Sequence, residues 1–217
     1  MLPIYSLKKR SDLEQDTYRT ASRPSTGQLY KEKGSKFYSY VFPVENESEV
    51  KIYLADLKKQ HYGARHWCYA YQIGTSPKYY RANDDGEPSN SAGMPIYGQI
   101  QAYDLTNILV VVVRYFGGIK LGVGGLVAAY KIAAKMGIEE TDIIEKTINL
   151  RYFIHYDYSD INKVMRIIKE HGAEIKSNSM ESTPVIEVEI RKNLSPTFIS
   201  AFENLHTIQL KPEQPDN

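Results

Sequence analysis

Residues 108–113 read ILVVVV, six consecutive apolar side chains of which five are β-branched. A run this short and this continuous predicts a β-strand buried on both faces, and so a chain that must supply cover for two sides of a sheet. The next segment is equally restrictive. The stretch RYFGGIKLGVGGLVAAY, residues 114–130, places five glycines within nine residues, Gly117 to Gly125, flanked by Arg114 and Lys120. Strand, glycine-rich loop and helix therefore come in immediate succession, with Leu126, Tyr130, Ala133 and Ala134 on one helical face and Gly137 as its expected C-cap.

That order suggests a phosphate site, but the spacing excludes the two nucleotide-binding patterns. Gly117 and Gly122 are followed by Val123 where a P-loop needs lysine. Gly122 and Gly124 are followed by Val127 where a dinucleotide fingerprint needs its third glycine. Two readings remain. Successive backbone N–H groups at Gly117, Gly118, Gly122, Gly124 and Gly125 can converge on an anion beside a helix N-terminus, aided by Arg114 and Lys120. Alternatively, the glycines only permit positive φ and close helix–strand packing.

Around this centre the chain reads as α+β. Residues 28–44 form two strands turning at Gly34, and Asn46 with Glu49 makes a capping box for a helix that stops at Gly63. HWCYAYQI, from His66, is a strand, and the polar loop RANDDGEPSNSAG leads from Ser91 into a helix ending near Tyr103. Residues 138–146 mark a change of character, giving an expected first domain over 1–140 and a second over 141–217. The second reads as βαββαβ, with a helix over 159–171 and another over 195–205, the order of a ferredoxin-like domain.

Composition narrows the class. The net charge of +1 gives no global attraction to nucleic acid or membrane, so any basic surface comes from local clustering. A single cysteine, Cys68, excludes an internal disulfide and a cysteine-rich zinc cluster. No segment reaches the roughly 18 apolar residues of a membrane helix, and MLPIYSLKKRSD lacks a signal-peptide apolar core. The expectation is a cytoplasmic protein with no metal and no cofactor.

Three further groups carry candidate chemistry. Asp84, Asp85 and Glu87, with Ser89, crowd into six residues and suit acid–base work or a metal beside phosphate; their bland reading is a turn with local backbone bonds and an N-cap at Ser91. His66 and Cys68 share a strand face with Cα atoms about 6.6 Å apart, too far for a ready nucleophile–base pair, which favours a buried, inert thiol. Lys33, Lys36 and Arg65 extend the basic set of Arg114 and Lys120. Tyr38, Tyr40, Trp67, Tyr69 and Tyr71 interleave with them as a single-strand-binding sheet requires.

KGSKF at 33–37, HWCYAY at 66–71, DDGEPSNSAGMPI at 84–96 and RYFGGIKLGVGGLVAAY together resemble the signature of the YigZ/IMPACT family. The resemblance implies a first domain like the βαββα domain 2 module of a small-subunit ribosomal protein. It implies a second like a ferredoxin-like domain of the elongation factor that drives translocation. Eukaryotic members regulate translation by binding a partner of a stress-response kinase through an extra domain that this sequence lacks; for bacterial members the implication is nucleic-acid binding. Two departures from the pattern stand out: Asn90-Ser91 where the family has Gly-Thr, and Ala128 where it favours Arg.

The functional expectation is a non-enzymatic protein associated with RNA or the ribosome, gripping phosphate through Lys33, Lys36, Arg65, Arg114, Lys120 and the five glycines. A small-molecule hydrolase or phosphate-handling enzyme using Asp84, Asp85 and Glu87, and a protein-interaction module docking through the second domain's sheet, remain open alternatives.

Overall fold

The computed structural model describes residues 16–76, 78–179 and 184–213. The chain divides into two compact units, one of residues 18–146 and one formed by residues 147–213 with Asp16 and Thr17.

In the first unit a five-stranded antiparallel sheet is built from β2 (Gln28–Glu32), β3 (Ser35–Pro43), β4 (His66–Ile73), β5 (Tyr79–Asn83) and β6 (Ile108–Tyr115), in the order β2-β3-β6-β4-β5. The apolar run is the central strand β6, hydrogen-bonded to β3 and β4 on either side. Ile108, Val110 and Val112 pack with Phe37, Cys68 and Ala70 beneath two helices, α2 (Gly93–Ala102) and α3 (Gly122–Glu139). Leu109, Val111 and Val113 face the other way, packing with Tyr71, Val50 and Leu57 beneath helix α1 (Glu47–Gln60). Alternation along a strand with cover on both sides is what makes an unbroken apolar run stable there. A separate two-stranded pair joins β1 (Thr17–Ala21) to β7 (Ile143–Thr147).

The Asn46 cap forms as read, its side chain accepting from the Glu49 N–H at 3.0 Å, but the return bond is shifted by one residue, Glu49 Oε2 accepting from the Glu45 N–H at 2.8 Å. The β2–β3 turn is two residues, Lys33 and Gly34, both with positive φ (45° and 78°), the form that matches strand twist in a tight hairpin.

Three local expectations need correction. The first three residues of the polar loop, Arg81 to Asn83, belong to strand β5 (Tyr79–Asn83), held by pairing with β4 although its side chains are mostly exposed. Gly137 lies inside α3, which runs on to Glu139; a Cβ there would stand 2.2 Å from the Ser39 hydroxyl, so the glycine lets the helix lie on β3. Helix α5 (Ser195–Ser200) stops five residues short of the expected Leu205, breaking into turns after Ser200.

The second unit has the order β8 (Asn149–His155), α4 (Ile161–Glu170), β9 (Glu174–Ser179), β10 (Val185–Arg191), α5 and β11 (Gln209–Pro212). Its antiparallel sheet runs β11-β8-β10-β9, the ferredoxin-like arrangement. Ile154, Ile186 and Val188 meet Val164, Ile168 and Phe198 in a core of its own. The chain is therefore a two-domain α+β protein. No helix of the described residues is long and apolar enough to cross a membrane.

Candidate functional site

Four motif stretches, far apart in sequence, converge at one end of the first sheet. Register brings them there: Arg114 at the end of β6 pairs with His66 at the start of β4 and with Phe37 near the start of β3, while Lys36 stands opposite Tyr115. The 84–92 loop comes after β5, beside the start of β4.

Each carboxylate of that loop has a defined partner. Asp84 Oδ1 accepts from the Ala92 and Gly93 N–H groups at 2.9 and 2.8 Å, and Oδ2 from the Asn90 N–H at 2.9 Å. It thereby caps α2, a helix with no acidic residue in its first turn and no side-chain bond from its own N-cap, Ala92. The cap comes from Asp84, seven residues before Ser91, and not from Ser91, whose buried hydroxyl has no partner among the described residues. Asp85 Oδ2 accepts the Trp67 N–H at 2.7 Å, extending the sheet ladder past the end of β5. Gly93 sits so close to Asn83 that a Cβ would lie 2.6 Å from its nitrogen.

Glu87 turns inward. Its side chain is 5% exposed and its Oε1 accepts from Arg114 Nη1 at 2.6 Å and from the Tyr130 hydroxyl at 2.8 Å. Arg114 is 6% exposed along its side chain, and its Nη2 stands 3.4 Å from the Ser35 hydroxyl, which also accepts the Gly117 N–H at 3.2 Å. Paired burial of this kind is what allows two charges under a helix-covered sheet. Cys68 Sγ lies 3.0 Å from the Asp84 carbonyl and 3.2 Å from the Tyr130 hydroxyl, and burial pushes its thiol well above the ordinary range. A thiol so placed is a poor nucleophile at neutral pH. Burial likewise raises the Tyr130 phenol, which therefore remains a donor to Glu87. His66 donates from Nδ1 to the Asp85 carbonyl at 2.9 Å, leaving Nε2 facing Glu87 Oε1 at 3.9 Å.

The glycine loop splits into two kinds of position. Gly117 and Gly34 press backbone on backbone: a Cβ on Gly117 would lie 1.8 Å from the Gly34 carbonyl carbon. Gly118 and Gly122 have φ of +86° and +71°, and a Cβ on Gly118, Gly122 or Gly124 would meet nothing within 4 Å. Gly125 is confined by Leu121, 3.1 Å from the position of its Cβ. The N-terminus of the 18-residue α3 is thus bare, with no acidic residue in its first turn.

Lys33, Lys36, Arg65 and Lys120 are all exposed, as is Ser89. Lys36 lies between buried Ser35 and Phe37 and so points toward the α1 side, opposite the side of Arg114, His66 and Cys68; Arg65 directly precedes β4, its N–H donating to the Arg114 carbonyl at 3.3 Å, and what both share with the glycine loop is the end of the sheet. The interleaved aromatics do not form an open platform. Tyr38, Tyr40, Trp67, Tyr69 and Tyr71 pack with α1 residues, because that helix covers their face. Sequence reasoning passed over Phe116, which is 45% exposed at the head of the glycine loop; an aromatic residue set between an apolar strand and a glycine run was the available signal. Among the described residues no group of three or more His, Cys, Asp or Glu side chains is placed to hold a metal ion.

An antiparallel sheet covered on both faces, with four motif stretches converging at one end beside a bare helix start, and a ferredoxin-like unit after it, defines the class of two-domain α+β protein to which the chain conforms. Residues 33–138 match the Impact N-terminal domain. The chain is 35% identical over 154 residues to the IMPACT family member YvyE of Bacillus subtilis, covering 71% of this chain and 70% of that protein. It is 31% identical to an IMPACT family member of Haemophilus influenzae, over 83% of this chain and 88% of the relative. The chain belongs to the IMPACT family. A crystal structure of a hypothetical protein, 22% identical, superposes with a TM-score of 0.71 over 93% of this chain and all of the other, so the two share a fold.

Proposed function

We propose that the chain is a non-enzymatic, cytoplasmic, translation-associated protein that holds RNA phosphates at the motif end of its first unit. The observation carrying this reading is the backbone contact between Gly34 and Gly117. It joins the turn bearing Lys33 to the loop bearing Lys120, so two exposed cations flank one stretch of bare backbone that includes Gly118, Gly122 and Gly124. Lysines and free N–H groups beside a helix start suit a phosphate diester. Lys36 and Arg65 extend the cationic rim, while Arg114, engaged by Glu87 and Ser35, acts by fixing the loop from below.

The bonding of the loop's carboxylates supports binding over catalysis. Asp84 and Asp85 are committed to backbone N–H groups and Glu87 to Arg114 and Tyr130, so each has a structural duty. Glu87 is neutralised by Arg114, and the backbone N–H donors around Asp84 and Asp85 offset part of the charge that these two carboxylates keep.

Titrating the full chain with fluorescein-labelled ribosomal RNA fragments at rising salt tests the reading. Substituting Lys33→Ala and Lys120→Ala together is expected to weaken binding and to lower the slope of log K against log salt by about 1.5. Absence of binding at about 50 mM salt, or a slope unchanged in the double variant, overturns it.

A further inference from the structure

Phe116 is an expensive residue to leave in water, and its surroundings hold it there. Its ring centroid lies 5.7 Å from the guanidinium carbon of Arg114, close enough for cation–π attraction. That guanidinium is itself held by Glu87 at 2.6 Å, and it also lies over the buried ring of Phe37 at 5.4 Å. One residue further on, the Gly117 N–H is tied to Ser35. The ring is therefore supported from beneath by a fixed cation and anchored at the following peptide, yet nearly half of it meets solvent. Ile119 in the same loop and Val123 in the first turn of α3 are exposed too, and residues 116–125 contain no acidic side chain.

We propose that Phe116 is a stacking platform for an unpaired base, so that the site takes single-stranded RNA, with the base on the ring and flanking phosphates on Lys33 and Lys120. This inference rests on the RNA reading above and adds the strandedness of the ligand. Bases inside a duplex already stack on one another and offer no free face, whereas every unpaired base does, whatever its identity. The interleaved aromatics Tyr38, Tyr40, Trp67, Tyr69 and Tyr71 pack with α1 residues, and the exposed Tyr79 and Tyr80 sit on β5, away from the glycine loop. The expected preference is for single strands, with little discrimination among sequences.

The test uses the full chain and an RNA of about twelve nucleotides carrying 2-aminopurine, alone or annealed to its complement. The expected result is tighter binding of the single strand, with quenching of the 2-aminopurine as it stacks. Phe116→Leu is expected to lower single-strand affinity about tenfold and abolish the quenching, while the salt slope stays unchanged because no charge is lost. Phe116→Trp is expected to restore both, which separates stacking from damage to the fold. Equal affinity of Phe116→Leu and wild type for the single strand overturns the stacking role. If the lysine-dependent salt slope survives in that case, the phosphate surface stands and the ring belongs to a protein contact. Failure of both RNAs to bind overturns both readings.

Discussion

Arg114 and Arg151 both project from strands and both bind glutamate, in opposite settings. Arg114 is 6% exposed and meets one carboxylate, that of Glu87, at 2.6 Å in a helix-covered interior. Arg151, on β8 of the second unit, is 39% exposed and meets three, those of Glu187, Glu189 and Glu213, at 3.2, 3.0 and 3.1 Å. Counting contacts favours Arg151; solvent reverses the ranking. Water screens an exposed cluster and can replace any partner it loses, whereas a buried charge deprived of its partner has nothing to turn to. The single ion pair is thus the structural one, and it underlies the loop to which function is assigned.

The sharpest way to break this comparison is Glu87→Gln, which leaves Arg114 buried beside a neutral amide. A loss of about 3–5 kcal/mol is expected in urea unfolding of the first unit. A loss below about 1 kcal/mol is the ordinary result for an exposed pair and would place Glu87 with the cluster around Arg151. Gly117→Ala comes next: its methyl group would overlap the Gly34–Ser35 peptide, and because backbone is less able to yield than a side-chain tip, about 1–3 kcal/mol is expected, with weakened RNA binding. Arg151→Ala is expected to cost less than about 1 kcal/mol, and to cost less still at high salt, as the thermal midpoint at two salt concentrations will show.

The smallest effect concerns His61, whose ring nitrogens contact the Tyr40 hydroxyl at 2.6 Å and the Tyr115 hydroxyl at 3.0 Å. Desolvation holds its pKa below the ordinary 6.5. Above that pH both folded and unfolded chains carry it neutral. Below it the unfolded chain takes the proton first, so stability falls as pH drops beneath 6.5 and the fall ends near the lower folded pKa. A ring resonance titrating at or above 6.5 in the folded protein would contradict this.

How much of this was legible in advance depended on range. The strand at 108–113, the turn at Gly34, the capping box at Asn46 and the order of the second unit were readable because each is set by neighbours within a few residues. The burial of Arg114 was not, since it depends on Glu87 arriving from another loop and on α3 bringing Tyr130. The α1 helix over Tyr38 and Tyr40 was equally hidden: alternation shows that a strand has two faces, not which one a helix will cover. Asp84 could have been suspected as a cap only by knowing that the loop folds back on the start of α2. The glycines likewise look alike in sequence, yet Gly117 is pressed on Gly34 while Gly122 and Gly124 stand open. Spacing cannot separate those cases, because the distinguishing atoms lie more than eighty residues away or do not exist.

Trp67 gives the arrangement a practical consequence. It is the chain's single tryptophan, its main-chain N–H is held by Asp85, its indole nitrogen stands 3.4 Å from the Leu57 carbonyl, and Lys58 lies over its ring. Residues 147–217 contain none. Indole emission therefore reports the melting of the first unit by itself, while far-ultraviolet dichroism sees both, and any gap between the two curves measures how independently the halves of the chain come apart.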